Sequence, residues 1–322
     1  MSQNITVQKN NLMLSGVFIS DVIEDFLNTK NSRQTVRSYR SDLVAFFNWL
    51  DVMTLSELAV LSFPILIDKV LSFIRLQEKT DPFTGKVKNP ATVNRKAYTL
   101  SAFFNYLIHA YSYPKNPLKS FQAHKTTRKS TTESLTRAEA VDILQFMQGK
   151  HRESEKDFRD YLIFLFLNVF ALRRNELVGL TWDDINVSAS TINVYQKGGS
   201  TKLLPIPTNI MLYLQRFREL YPSDSVYLFR PLKNNTTHEF NKPLTPSAIY
   251  QMVEKIMLKF LPDKHITPHS FRKTFIELSI ANKEDFVAIT NATGHTNINM
   301  IGYYCTSDTL KHNAIHGMAR LV

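Results

Sequence analysis

The sequence predicts two domains, mainly α-helical, with one small antiparallel β-sheet. Three observations carry this. The chain has 322 residues, about two domains at roughly 150 residues each. Apolar residues recur mostly at spacings of three and four, the helical period. Only one pair of segments alternates like strands about a Gly-rich turn, Thr191 to Tyr195 (TINVY) and Lys202 to Ile206 (KLLPI). The polar, basic stretch Tyr113 to Ser134, with Pro114 and Pro117, lacks apolar periodicity and divides the chain. This gives a first domain over 15–124, a basic linker over 125–134 and a second domain over 135–322.

The elements follow in order. Phe18 to Leu27 reads as a helix, and Ser32 caps a second through Val36, Tyr39, Leu43, Phe46, Phe47 and Leu50. Thr80-Asp81-Pro82 and Gly85 make a turn, and a related helix starts near Asn89-Pro90. The segments Thr35 to Leu50 (TVRSYRSDLVAFFNWL) and Thr92 to Leu107 (TVNRKAYTLSAFFNYL) agree at 8 of 16 positions, so two helices share packing duties. Past the linker, Thr136 with Glu139 three residues on is a capping-box pattern. A strongly apolar helix is expected over about Phe158 to Leu172, then the hairpin with Lys197-Gly198-Gly199-Ser200 at its turn, then helices.

Composition narrows the function. The hydrophobic and charged fractions, 43% and 21%, exclude wholesale disorder. The single cysteine, Cys305, excludes a disulfide framework and a Cys-based zinc site, so a cytoplasmic protein is expected. No secretory signal precedes Ser20, and the apolar run Tyr161 to Leu172 is too short to span a bilayer. The net charge of +11 favours a polyanionic partner. Its distribution says more: residues 1–130 carry 17 basic against 9 acidic side chains, and 131–322 carry 22 against 19. Between Arg95 and Thr132 stand seven basic residues and no acid. Arg33, Arg37, Arg40, Arg95, Lys96, Lys125, Arg128 and Lys129 are therefore the candidate DNA contacts; for the first three a solvated basic helix edge is an equal explanation.

No phosphate-binding glycine loop, His-x-x-x-His pair or G-x-S-x-G elbow occurs. What remains is an ordered set: Ala171-Leu172-Arg173-Arg174-Asn175-Glu176-Leu177, Lys197, His269-Ser270-Phe271-Arg272, Gly294-His295 and Tyr303-Tyr304. In this order the set resembles the tyrosine recombinase family, the phage integrases and Xer-type resolvases. Each motif alone is weak, and five in order with consistent spacing are strong. The resemblance covers nearly the whole chain, since the N-terminal helices and their Asn116-Pro117 exit look like the family's core-binding domain. It implies Arg173, Lys197, His269, Arg272, His295 and Tyr304 as catalytic residues, with Glu176 supporting Arg173. It further implies a helical, SAM-like core-binding domain and an α+β catalytic domain closing on duplex DNA as a C-shaped clamp. Also implied are four copies, or copies with a related recombinase partner, exchanging strands through a Holliday junction, and a C-terminal segment, here with Leu310, Ile315, Met318 and Leu321, passed to a neighbour. Two departures are Lys273, where many relatives carry His, and Ala171, where Gly is usual.

The residue types suit the chemistry. Two guanidinium forks clamp the non-bridging oxygens of a phosphodiester. A tyrosine with an ordinary pKa near 10 is about one part in a thousand ionised at pH 7, so Tyr304 needs a base, such as His269, or a positive pocket. Lys197 on a Gly-rich turn is suited to protonate the leaving 5′ oxygen. A 3′-phosphotyrosine retains the diester's bond energy, so neither ATP, a metal nor another cofactor is expected. Tyr303 is the rival nucleophile; the spacing from His295 favours Tyr304. Two other functions stay open: type IB topoisomerase-like relaxation, and a catalytically silent DNA-binding protein.

Overall fold

The computed structural model describes residues 16–78, 89–125, 132–196, 198–232, 241–295 and 301. The chain divides into two compact units, Met1–Thr127 and Arg128–Val322. Among the described residues no helix is long and apolar enough to cross a membrane.

The first unit holds α1 (Ile19–Asn28), α2 (Arg33–Leu50), α3 (Leu55–Val60), α4 (Phe63–Glu78) and α5 (Pro90–Tyr111). The Ser32 side chain caps α2 by accepting from the Thr35 amide, and Asn89 caps α5 ahead of Pro90. The two similar segments form α2 and α5, and their equivalent positions meet. Phe46 packs on Phe104 and Phe47 on Phe103, with ring centroids 6.4 and 5.4 Å apart, and Thr99 Oγ1 donates to Asp42 at 3.1 Å. Phe46 and Phe47 thus each meet the counterpart of the other, Phe104 and Phe103, across the two helices. The Asn116 side-chain amide donates to the Ser101 carbonyl and to Asn105 Oδ1, and its oxygen accepts from Leu118 N, fixing the chain's exit from α5. The expected turn around Thr80 to Gly85 lies outside the described residues.

The second unit is built on α7 (Glu155–Val169), whose residues from Phe158 to Leu167 are all buried. Packed on it are α6 (Arg137–Lys150), α9 (Thr208–Leu220) and α11 (Pro268–Ala281). Helix α6 opens with the expected Thr136–Glu139 capping box. Helix α7 differs from its expected span: the Ser154 side chain starts it three residues before Phe158, and it ends at Val169. Ala171, with φ of 50°, turns the chain sharply where helical periodicity alone would have continued to Leu172. The sheet is antiparallel in the order β1 (Ile185–Asn186), β2 (Thr191–Tyr195), β3 (Thr201–Pro205). The hairpin is as expected with β3 one residue earlier, while two-residue β1 is too short to register as an alternation. Among the described residues the unit also holds α8 (Arg174–Val178), α10 (Pro246–Phe260) and α12 (Phe286–Thr293), with one 3-10 turn at Trp182–Asp184.

Candidate active site

The turn between α7 and α8 sets the first arginine. Arg173 is the N-cap of α8, and Glu176, 5% exposed, folds back to accept from the Arg173 amide at 3.0 Å and from its guanidinium at 2.7 Å. The carboxylate thereby satisfies an orphan helix amide and fixes the side chain that follows from it. Arg173 remains 41% exposed, so its fork stays open to an incoming anion.

The second arginine comes from the first turns of α11, where Pro268 and the Thr267–Ser270 pair set the helix start. Arg272 is 1% exposed. It donates from Nη1 to the Ala171 carbonyl at 2.8 Å and from Nη2 to the Thr293 carbonyl at 2.6 Å. The strained Ala171 turn thus presents its carbonyl to the second arginine while its successors carry the first. Nη2 also lies 3.2 Å from His295 Nε2.

Helix α12 ends in Gly294 at φ of 66°, a left-handed cap suited to glycine, and the next residue, His295, is buried against Arg272. Thr293 Oγ1 donates to the Ile289 carbonyl at 2.7 Å and therefore accepts from His295 Nδ1, also at 2.7 Å. That assigns the proton to Nδ1 and leaves Nε2 to accept from Arg272. Burial first, then the charges of Arg272, Arg173, His269 and Lys202, depress the His295 pKa to about 4. His269 stands at the solvent edge. Desolvation by surrounding atoms, then the Arg272 and Arg173 charges, lower its pKa, which keeps its ring neutral and ready to accept a proton.

One member sequence reasoning missed. Lys202 on β3 points inward, its side chain 7% exposed, with Nζ 2.8 Å from the Ala292 carbonyl and 3.8 Å from Glu176 Oε2. Burial depresses its pKa to about 8, opposed by Glu176 and reinforced by the arginines. The available signal was an inverted strand pattern: Lys202 and Leu204 are buried, while the apolar Leu203 between them is exposed.

Arg173, Glu176, His269, Arg272 and His295, scattered over more than 120 residues of sequence, are therefore brought together in one charged cluster. Lys197, Tyr303, Tyr304 and the C-terminal stripe from Leu310 to Leu321 lie outside the described residues. Gln196, just before Lys197, donates from Nε2 to the Gly294 carbonyl at 3.4 Å. Lys273 faces away, donating to the Thr132 carbonyl and pairing with Glu277. Among the described residues no group of three or more His, Cys, Asp or Glu side chains could hold a metal ion.

The candidate DNA contacts divide. Arg33, Arg37 and Lys125 are exposed. Arg40 pairs with Glu24 on the surface. Arg95 forms a bidentate pair with buried Asp42, which also takes Lys96 at 3.2 Å, so these two cations share one buried carboxylate. Arg128 and Lys129 lie outside the described residues.

Residues 133–311 match the Phage integrase family. A tyrosine recombinase of Agathobacter rectalis is 26% identical over 294 residues, 89% of this chain and 90% of that one. A tyrosine recombinase XerD of Listeria innocua is 23% identical, covering 89% of this chain and 94% of its own. Among solved structures, the Tn1549 transposon integrase in complex with transposon right-end DNA has a TM-score of 0.66 at 21% identity, over 95% of this chain and 99% of that one. The XerH site-specific recombinase bound to its difH substrate has a TM-score of 0.64 at 19% identity, over 89% and 79%. These structural likenesses establish the fold, mainly helical with a small antiparallel sheet. With more than half of its residues matched by the family, the chain belongs to the phage integrases, the tyrosine recombinases.

Proposed function

We propose that this chain is a site-specific DNA recombinase that cuts and rejoins duplex DNA through a 3′-phosphotyrosine. The observation that carries the reading is the pairing of Arg173 and Arg272 around the Ala171 turn, each held by built-in acceptors. In the reaction the two guanidinium forks hold the non-bridging oxygens and stabilise the charge that grows on them in the transition state. The Tyr304 oxygen gives its proton to His269 and attacks phosphorus as the bond to the 5′ oxygen breaks. Lys197 protonates that oxygen. Resealing reverses each step, with the 5′ hydroxyl as nucleophile and Tyr304 as leaving group, so ATP has no role.

His295 serves Arg272. Neutral at pH 7, with Nε2 facing the guanidinium, it steers the fork until a phosphate takes the same donors. Four copies on two DNA sites, exchanging strands in pairs, complete the proposal; the relatives' complexes with transposon-end and difH DNA support duplex DNA as the partner. The test is incubation of the full chain with nicked, supercoiled and suicide DNA from its source, without metal or nucleotide. An SDS-stable protein–DNA adduct is expected; DNA binding with no adduct contradicts the reading.

A further inference from the structure

The β2–β3 hairpin reaches the C-terminal turn of α12 from both of its sides. Before the turn, Gln196 Nε2 donates to the Gly294 carbonyl at 3.4 Å; after it, Lys202 Nζ donates to the Ala292 carbonyl at 2.8 Å. Contact at Gly294 is close: a Cβ built there would clash with the Gln196 side-chain amide. The ammonium faces a carbonyl at the C-terminal end of a helix, where the end carbonyls lack intrahelical partners and a positive charge is favoured.

Lys202 also sits in a continuous series of contacts. Arg173 is held by Glu176. Glu176 faces Lys202. Lys202 holds Ala292, and the neighbouring Thr293 carbonyl holds Arg272. One buried ammonium therefore joins the carboxylate that orients the first arginine to the backbone that orients the second. We propose that Lys202 is a positioning residue that sets the spacing of Arg173 and Arg272 for the scissile phosphate. The inference rests on the recombinase reading above. An apolar side chain would fill the space on β3 without the desolvation cost of a charge, but would leave Glu176 and Ala292 untied.

The test uses the full chain with a nicked suicide duplex carrying the cleavage site mapped on source DNA, synthesised with either oxygen or sulfur at the scissile 5′ position. Sulfur leaves without a proton, so a variant that has lost only a proton donor recovers on the sulfur substrate. At saturating DNA, Lys202→Met is expected to slow single-turnover adduct formation by about 100-fold on both substrates, the loss typical of a misplacement of about 1 Å. DNA affinity should change little, and Lys202→Arg should restore most of the rate. A Lys202→Met rate within twofold of wild type overturns the proposal. So does recovery confined to the sulfur substrate, which would make Lys202 the proton donor itself. Circular dichroism identifies a variant that fails to fold; Lys202→Gln then takes its place under the same criteria. A wild-type chain that forms no adduct overturns the recombinase reading and this inference together, a result distinct from any difference between variants.

Discussion

Lys202 makes folding stability depend on pH in a way that one substitution removes. Its pKa is 10.5 as an ordinary lysine and about 8 in the fold, chiefly through burial. Between those values the unfolded chain binds a proton that the native state does not, so stability rises with pH across the window and is lost again as pH falls toward 8. With 1.36 kcal/mol per pKa unit, the contribution of this group alone changes by about 2.5 kcal/mol between about pH 7 and about pH 10. Tyrosines also titrate near the upper limit, and burial raises the Tyr113 pKa to about 12. The informative quantity is therefore the difference between wild type and Lys202→Met, from which other groups cancel. Urea unfolding of both proteins at several pH values gives it directly. Wild type should gain about 2.5 kcal/mol on the variant as pH rises from about 7 to about 10. A difference constant within about 0.5 kcal/mol, less than the shift of even half a pKa unit, would refute the account of Lys202 as a buried, largely desolvated ammonium.

Further outcomes are expected elsewhere. Acidification acts through His295, whose pKa of about 4 lies below the ordinary 6.5: as pH falls from 6.5 toward 4 the unfolded chain takes up a proton first, and stability drops by about 3 kcal/mol. His295→Gln should flatten that decline in urea titrations, and an unchanged decline would place the titrating group elsewhere. Ala171→Gly should stabilise the chain by about 0.5–1 kcal/mol, since relief of a left-handed alanine exceeds the added chain entropy; a lower urea midpoint would mean that packing of the buried methyl outweighs the strain. Asp42→Ala removes the carboxylate shared by Arg95, Lys96 and Thr99 and should cost about 2 kcal/mol by taking an acceptor from the largely buried Lys96 and the buried Thr99, while Arg95 turns to solvent; a loss under about 0.5 kcal/mol, the range of an exposed pair, would show the cluster to be solvated. Replacing Lys125, Arg128 and Lys129 with Ala together should flatten the salt dependence of DNA binding by about three phosphate contacts, whereas an unchanged slope means that the linker does not touch phosphate.

The architecture was legible where local chemistry repeats or punctuates. Ser32, Asn89 and Thr136 mark helix starts through caps that the structure contains, and the TINVY–KLLPI alternation marks the hairpin. Arg173 and Glu176, three residues apart, fall within reach on one helical turn, so the pairing that the family resemblance implies needs no distant backbone. What escaped depends on distant backbone. Apolar periodicity ran past Val169 because it carries no sign of the positive φ at Ala171, in a turn whose carbonyl meets Arg272 across 101 residues. Lys202 was passed over in favour of the lysine in the turn because its partners, Glu176 and Ala292, are brought to β3 only by tertiary packing. The charge pattern misled in a different way: Arg95 and Lys96 look free in a stretch without acids, but Asp42 comes from another helix.

The central claim is that Tyr304 becomes covalently joined to DNA. Digesting the SDS-stable adduct formed on a suicide substrate and sequencing the DNA-linked peptide tests it most directly. The account predicts attachment at Tyr304, no adduct from Tyr304→Phe with DNA binding retained, and a normal adduct from Tyr303→Phe. Attachment at Tyr303, or an undiminished adduct from Tyr304→Phe, would contradict it.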